Sequence, residues 1–547
     1  MSQQSPNPPK AQKPEKPEGF RQAMAWLHTW TGLLFGWVLF AMFLTGTLAF
    51  FRPEITAWMK PEINVQRSIS GAESVERAVT HLQTHAANST RWFITPSSPR
   101  VPEVGVGYVD PNPQPGRRAF RSVMLHPETG EELKARETRG GDFFYRFHFE
   151  LQMSHPWGRW LASIAAMFML IAIVSGVITH KKIFSDFFTF RPGKGGQRAW
   201  MDGHNALSVL GLPFHLMITF TGLVLFMSML MPAGIMAAYK DARAYNTDMF
   251  PQFSSTVKAA GQAAPLAPIG PMIELAQARW NGAEVGHISV NHAGDVNAEV
   301  VVSASPAAHV SYGRLPPGVT FAGTTGEPTT FLGEDNAVRA TAGTLIGLHL
   351  GLFAEPVLRW LYFLVSLGGT AMVGTGLVLW VVKRRQKAGR DAGQRFSLRL
   401  VDGLNVGSVA GIFVGVAAFF LANRLIDAQH TGRSGLETDI FFWAWGATFV
   451  YAFLRARTAW RDVFLLAAVA TFAVPVVNAF TTERHLGVSL PAGDWVMAGF
   501  DLTALVGAML LAWLAWRVEK KRRANETAAQ LASTRSSPST RAPALST

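Results

Sequence analysis

The sequence predicts a polytopic α-helical membrane protein of about eight spans, with an α+β module inserted between spans one and two and another between spans three and four. Three observations carry this: 48% hydrophobic and 16% charged residues in a chain of 547, apolar residues gathered into membrane-length runs, and an internal repeat. A helix needs about 20 predominantly apolar residues to cross a bilayer. Such runs fall at roughly 23–51, 157–180, 203–231, 356–382, 402–422, 439–454, 462–480 and 495–516.

Residues 1–20 are rich in Pro and Lys and read as a disordered tail, followed by a first span over 21–52. The segment 53–147 forms the first external module, with "AESVERAVTHLQTHA" as helix and "RWFIT", "EVGVGYV" and "AFRSVML" as strands beside the turn "HPETGEE". A second span (148–182), a loop (183–202) and a third span (203–232) lead into the second module, 233–340. There "PMIELAQARW" reads as helix and "GHISVN" and "NAEVVVSAS" as strands. A fourth span (341–383) and a loop (384–401) precede a region of four further spans (402–517) and a polar tail (518–547).

The net charge of +13 does not point to nucleic acid, because the basic residues cluster on one side of the alternating spans. "HKKIFSDFFTFRPGKGGQR", "KRRQKAGRDAGQR", "RARTAWR" and "RVEKKRR" all fall there, and an excess of Lys and Arg marks the cytoplasmic side. Both termini are then cytoplasmic and both modules external. The chain has no cysteine, which excludes disulfides, thiolate iron–sulfur ligation and covalent haem attachment through C-x-x-C-H.

The repeat organises the first two-thirds. At an offset of 176, His28 falls on His204 and Thr45-Gly46 on Thr221-Gly222. At an offset of 200, Pro156 falls on Pro356 and Ser175-Gly176 on Thr375-Gly376, while His148 meets His349 with a one-residue slip. The last four spans carry no such repeat.

Histidine in lipid is costly and usually faces the bundle interior, so each one raises a functional hypothesis beside the plainer reading of an interhelical hydrogen bond. Repeat-related pairs on facing helices at one depth suit a porphyrin iron with two axial imidazoles. His28 and His204 would form an inner pair, with Gly32 and Gly36 leaving room for a flat ring, and His148 and His349 an outer pair. His148 and His349 lie 33 and 34 residues before Lys181 and Lys383. Straight helix of that length is about 50 Å, beyond a hydrocarbon core of about 30 Å. They are therefore expected at the outer interface on bent pre-helices broken near Pro156 and Pro356. His215 follows His204 by eleven residues, which on a straight helix puts it on the same face about 16 Å away. It has no twin, since Leu39 stands at the equivalent place. It is a candidate for a middle haem or for a hydrogen bond to a propionate, and His180 for joining the inner site or meeting headgroups. His81, His85, His126, His287, His292 and His309 read as solvated.

"LHTWTGLLFGWVLFAMFLTGTL", "DGHNALSVLGLPFHLMITFTGL" and "GLHLGLFAEPVLRWLYFLVSLGGTAMVGTGLVLWVVKRR", with the "TGE" ends of both modules, resemble the PepSY-associated transmembrane family of bacterial inner-membrane proteins over about residues 20–390. The resemblance implies PepSY-like periplasmic modules and, as in some members, a haem-containing reductase of ferric siderophores. The family's four histidines match His28, His148, His204 and His349 as axial ligands of two b haems, with a third haem if His215 or His180 also binds. An unidentified cytoplasmic donor or quinol would feed a periplasmic ferric acceptor, and reduction to Fe(II) weakens its hard oxygen ligation. The alternatives are a PepSY-type sensor or peptidase-regulating protein and a transporter of iron chelates. The chain departs from the compact four-span pattern in its added spans and in His180 and His215.

Overall fold

The computed structural model describes residues 19–65, 71–112, 119–180, 196–251, 257–333, 337–389 and 395–536. Helix α1 (Phe20–Ala49) leads into α2 (Arg52–Met59), α3 (Gly71–His85), β1 (Arg91–Thr95), β2 (Val104–Val109), β3 (Phe120–Leu125), α4 (Asp142–Glu150) and the long α5 (Trp157–Thr179). The second copy begins with α6 (Gly196–Leu210) and α7 (Leu212–Leu225), then α8 (Met227–Leu230), α9 (Pro232–Ala238) and α10 (Ala242–Met249). It continues with α11 (Ile269–Arg279), β4 (Val285–Asn291), β5 (Glu299–Ala304), β6 (Gly318–Ala322), β7 (Pro328–Leu332), α12 (Ala337–Leu350) and α13 (Pro356–Ala388). The remainder is helical: α14 (Phe396–Leu425, with a π turn at Val406–Gly411), α15 (Arg433–Leu454), α16 (Ala459–Thr481), α17 (Leu486–Ser489) and α18 (Trp495–Ser536).

Among the described residues, α1, α5, α13, α14, α16 and α18 are long and apolar enough to cross a membrane, and α6 with α7 makes a seventh if the bent pair counts as one span. The apolar run at 439–454 lies on α15, whose first turns carry Arg433, Glu437 and Asp439. The pair α6 and α7 meets at 67°, because Pro213 lacks an N–H and its ring displaces the preceding turn. His204 and His215 therefore do not share one face of a straight helix. The bent pre-helices are as expected: α4 ends in left-handed Leu151, α12 in left-handed Gly351, and Pro356 opens α13.

The two modules are a single sheet. Strand β1 pairs antiparallel with β4, giving the order β3-β2-β1-β4-β5-β6-β7. The periodicities explain why. Val75, Ala78, Val79 and Leu82 on α3 repeat at i, i+3, i+4 and i+7, as do Ile269, Met272, Ile273 and Ala276 on α11. Both stripes bury into one core with Trp92, Ile94, Val300 and Phe321 of the sheet. Neither module closes a core alone.

The tail expected to be disordered from 518 continues as helix to Ser536. Glu519 pairs with Arg522 at 2.8 Å and Arg523 at 2.6 Å, and Arg522 with Glu526 at 2.6 Å; each i,i+3 or i,i+4 pair adds a few tenths of a kcal/mol to the helix. The α6 helix likewise starts at Gly196, inside the expected loop 183–202. Residues 1–18, 181–195 and 537–547 lie outside the described residues, and the readings made there with them.

The C-terminal helices dock on the first repeat. Phe143 of α4 stacks on Phe419 of α14 with ring centres 4.4 Å apart, and Phe147 meets Phe441 of α15 at 5.7 Å. On α2, Trp58 stacks on Phe500 of α18 at 4.1 Å and donates to Asp501 at 2.9 Å, under the Arg424 guanidinium at 3.7 Å.

Candidate functional site

Two pairs of histidine rings face each other between the repeated helices. His28 on α1 and His204 on α6 have ring centres 6.2 Å apart, at the end of the bundle away from the sheet. His148 on α4 and His349 on α12 have ring centres 6.0 Å apart on the sheet side. These are the pairings expected from the repeat.

One anchoring device serves all four. Each imidazole Nδ1 donates to a main-chain carbonyl of a neighbouring helix: His28 to Ala172 at 2.8 Å, His204 to Met372 at 2.9 Å, His148 to Met42 at 2.7 Å and His349 to Ile218 at 2.8 Å. Four residues after each carbonyl stands a glycine, in turn Gly176, Gly376, Gly46 and Gly222. The ring lies against that glycine, where a methyl group would come within 3.1, 3.2, 2.6 and 2.8 Å of it respectively. The glycine N–H occupies one lone pair of the carbonyl in the helix ladder. A bare glycine leaves the other lone pair open to a ring from outside. Of the preceding hydroxyl residues, Ser175, Thr45 and Thr221 donate to the neighbouring carbonyls of Ile171, Ala41 and Met217 at 2.6, 2.7 and 2.7 Å, and Thr375 donates to Met372 itself at 2.9 Å.

The carbonyl only accepts, so Nδ1 carries the proton and Nε2 keeps its lone pair, the arrangement that second-sphere carbonyls impose on metal-binding histidine. Two imidazoles that share one metal ion through Nε2 bonds of about 2 Å have ring centres about 6 Å apart, which both pairs match. Among the described residues, no three His, Cys, Asp or Glu side chains gather into a metal-binding group. A bare metal ion usually takes more protein ligands than two. Two neutral imidazoles suit an iron whose remaining positions a porphyrin fills, so the residues present fit the group.

Sequence reasoning found the Ser/Thr-Gly pairs as alignment marks and missed their work. It looked instead to Gly32 and Gly36; Gly32 has nothing packed against it, and Gly36 accommodates Leu377 of α13. His215 and His180 are not brought into pairs. His215 is buried between Gly211 and Gly369, beside Phe43 and Phe214, with Nε2 at 3.4 Å from the Val365 carbonyl. No histidine ring faces it among the described residues. His180 Nε2 accepts from Asn205 Nδ2 at 3.1 Å.

The surroundings of the pairs differ. The sheet-side pair opens into a cavity of about 1740 Å³ that runs from His148 and His349 past Lys60 and Arg314 to His287 on β4. Neither His28 nor His204 lines it.

This arrangement, a duplicated helix–module–helix unit with one paired histidine on every helical arm, lies almost wholly inside a known family model, that of the PepSY-associated TM region, which matches residues 25–383. The chain belongs to that family. An uncharacterized protein of Pseudomonas aeruginosa is 26% identical over 408 residues, covering 69% of this chain and 94% of that protein. All four paired histidines fall within the PepSY-associated match, and α14 to α18 fall after it.

Proposed function

We propose that this PepSY-associated protein is a b-type haem oxidoreductase of the bacterial inner membrane that reduces ferric iron or a ferric siderophore in the periplasm. The observation that carries the reading is the pair of 6 Å imidazole couples, every ring fixed through Nδ1. When bound, a haem at each couple supplies a one-electron Fe(III)/Fe(II) carrier, so that electrons from a cytoplasmic donor or quinol reach an external acceptor.

The chain's own residues hold and insulate. The four carbonyl anchors fix ring orientation and tautomer without any reorganisation. His28 and His204 are half-buried among the spans and away from the cavity, while the cavity beside His148 and His349 gives an acceptor a way to that end. In this reading α15 and the bent α6–α7 pair also span, giving eight, with both termini cytoplasmic and the sheet in the periplasm. The basic residues in the C-terminal halves of α13 and α18 and just after α15, on the side away from the sheet, support that orientation.

The purified protein should show a Soret band and a sharpened α band on dithionite addition, with two haems per chain by pyridine haemochrome. It should then be reoxidised by a ferric chelate. A chain purified from haem-replete cells without a Soret band would sink the reading.

A further inference from the structure

The sheet-side cavity carries more than the proposed reading uses. Its volume, about 1740 Å³, exceeds the 300–1,000 Å³ or so of an ordinary small-molecule site. That leaves room for a chelate beside a porphyrin edge. Most arginines on its wall are held by carboxylates, as Arg52 is by Asp142 at 2.5 Å, Arg100 by Glu54 at 2.7 Å and Arg484 by Asp494 at 2.6 Å. Two cations are different. Lys60 Nζ meets the thioether of Met124 at 3.6 Å in the longer-range field of Glu103, Asp142 and Glu62, and Arg314 is solvent-exposed; neither makes a direct ion pair among the described residues.

One wall comes from outside the family match. Arg484, Asp494 and Trp495, from the loops around α17, line the cavity. Arg484 also donates to the carbonyl of Ile63, just beyond Lys60. The same C-terminal helices grip Trp58, two residues before Lys60. The added helices therefore both wall the cavity and place one of the two cations that make no direct ion pair.

We propose that this cavity binds a ferric chelate of net negative charge, recognised by Lys60 and Arg314 and walled by the 484–495 loop of the C-terminal extension. This deepens the reductase reading and rests on it for the role of the chelate, while the binding itself is measurable without electron transfer. Anionic oxygen atoms have two sources here, the chelate and the propionates of a porphyrin held by His148 and His349. The test must separate them.

Equilibrium dialysis of the full-length protein against ⁵⁵Fe-labelled ferric EDTA, which is anionic, and a cationic ferric trihydroxamate makes the separation. The anionic chelate should bind more tightly. Lys60→Gln and Arg314→Gln should each weaken it about tenfold, as expected for loss of one charge-assisted contact, with haem content unchanged. Lys60→Arg should retain binding and so control for folding. Arg484→Gln should weaken binding as well, by releasing the wall. Equal binding of the two chelates by the wild type overturns the proposal. So does loss of sheet-side haem from Lys60→Gln and Arg314→Gln, which would make those cations propionate partners. If the protein carries no haem, the reductase reading fails, and dialysis still decides whether the cavity takes an anionic chelate.

Discussion

The two histidine pairs share one anchor but are held by different parts of the chain. His28 and His204 sit on α1 and α6 and bond to carbonyls of α5 and α13, so four membrane segments fix the far pair and nothing else is required. His148 and His349 sit on the short α4 and α12, delivered from beyond the spans onto carbonyls of α1 and α7. That second arrangement needs bracing, and α14 to α18 supply it to α4 through Phe143, Phe144 and Phe147. A pair held by spans alone needs no outside support, whereas one delivered from beyond the spans borrows rigidity from added helices.

The largest test removes ligands. His28→Ala and His204→Ala should each cost the same one of two haems, and His148→Ala and His349→Ala the other, counted by pyridine haemochrome and assigned by difference spectra. Loss of different haems within one pair would refute the pairing. Next in size is the brace. Phe143 is fully buried on Phe419, and truncating a buried Phe costs about 3–5 kcal/mol. Phe143→Ala should lower the melting temperature and perturb the spectrum of the sheet-side haem while leaving that of the far haem unchanged. Equal perturbation of both would show that the added helices support the whole bundle rather than one site.

The sequence made the pairing legible because His28 and His204, and His148 and His349, are related by a duplication that also carries Thr-Gly and Ser-Gly marks. The broken pre-helices were legible from length alone, since 33 or 34 residues before the terminal lysines exceed a membrane. The role of Gly46, Gly176, Gly222 and Gly376 was not, because a hydrogen bond from a distant ring to a helix carbonyl leaves no periodicity. Nor was the union of the modules: β1 and β4 are separated by about 190 residues of chain, and pairing over such a distance has no local signal. The 67° bend was announced by Pro213, yet a run of apolar residues on both sides made one straight helix the simpler reading.

Acid should loosen the sheet. His287, on the cavity wall and stacked on Phe93, is pushed down from 6.5 to about 4, first by burial and then by the nearby Arg91 cation. The unfolded chain then binds a proton that the folded sheet refuses. Stability is therefore full above about pH 6.5 and falls as pH drops towards 4, by at most ~3 kcal/mol. Protection factors of the β1–β4 amides, referred to the intrinsic exchange rate at each pH, should fall between pH 7 and 5, and His287→Gln should flatten that dependence. An unchanged profile in the variant would assign the effect to other groups.

The finest distinction lies in the glycines. Gly46 and Gly222 leave their rings 2.6 and 2.8 Å from where a methyl group would stand, whereas Gly176 and Gly376 leave 3.1 and 3.2 Å. The neighbour in each case is an imidazole already tied to a carbonyl, so it cannot swing aside without breaking that bond. Gly46→Ala and Gly222→Ala should therefore displace the sheet-side rings and cost about 1–3 kcal/mol, the usual penalty for overpacking, with lowered haem occupancy. Gly176→Ala and Gly376→Ala require a shift of only a few tenths of an ångström, and should cost less and keep both haems. Melting temperature and haem content of the four single variants check this together. Equal losses at all four positions would mean that the far pair is as intolerant as the sheet-side pair, and that the two sites differ in access but not in tightness.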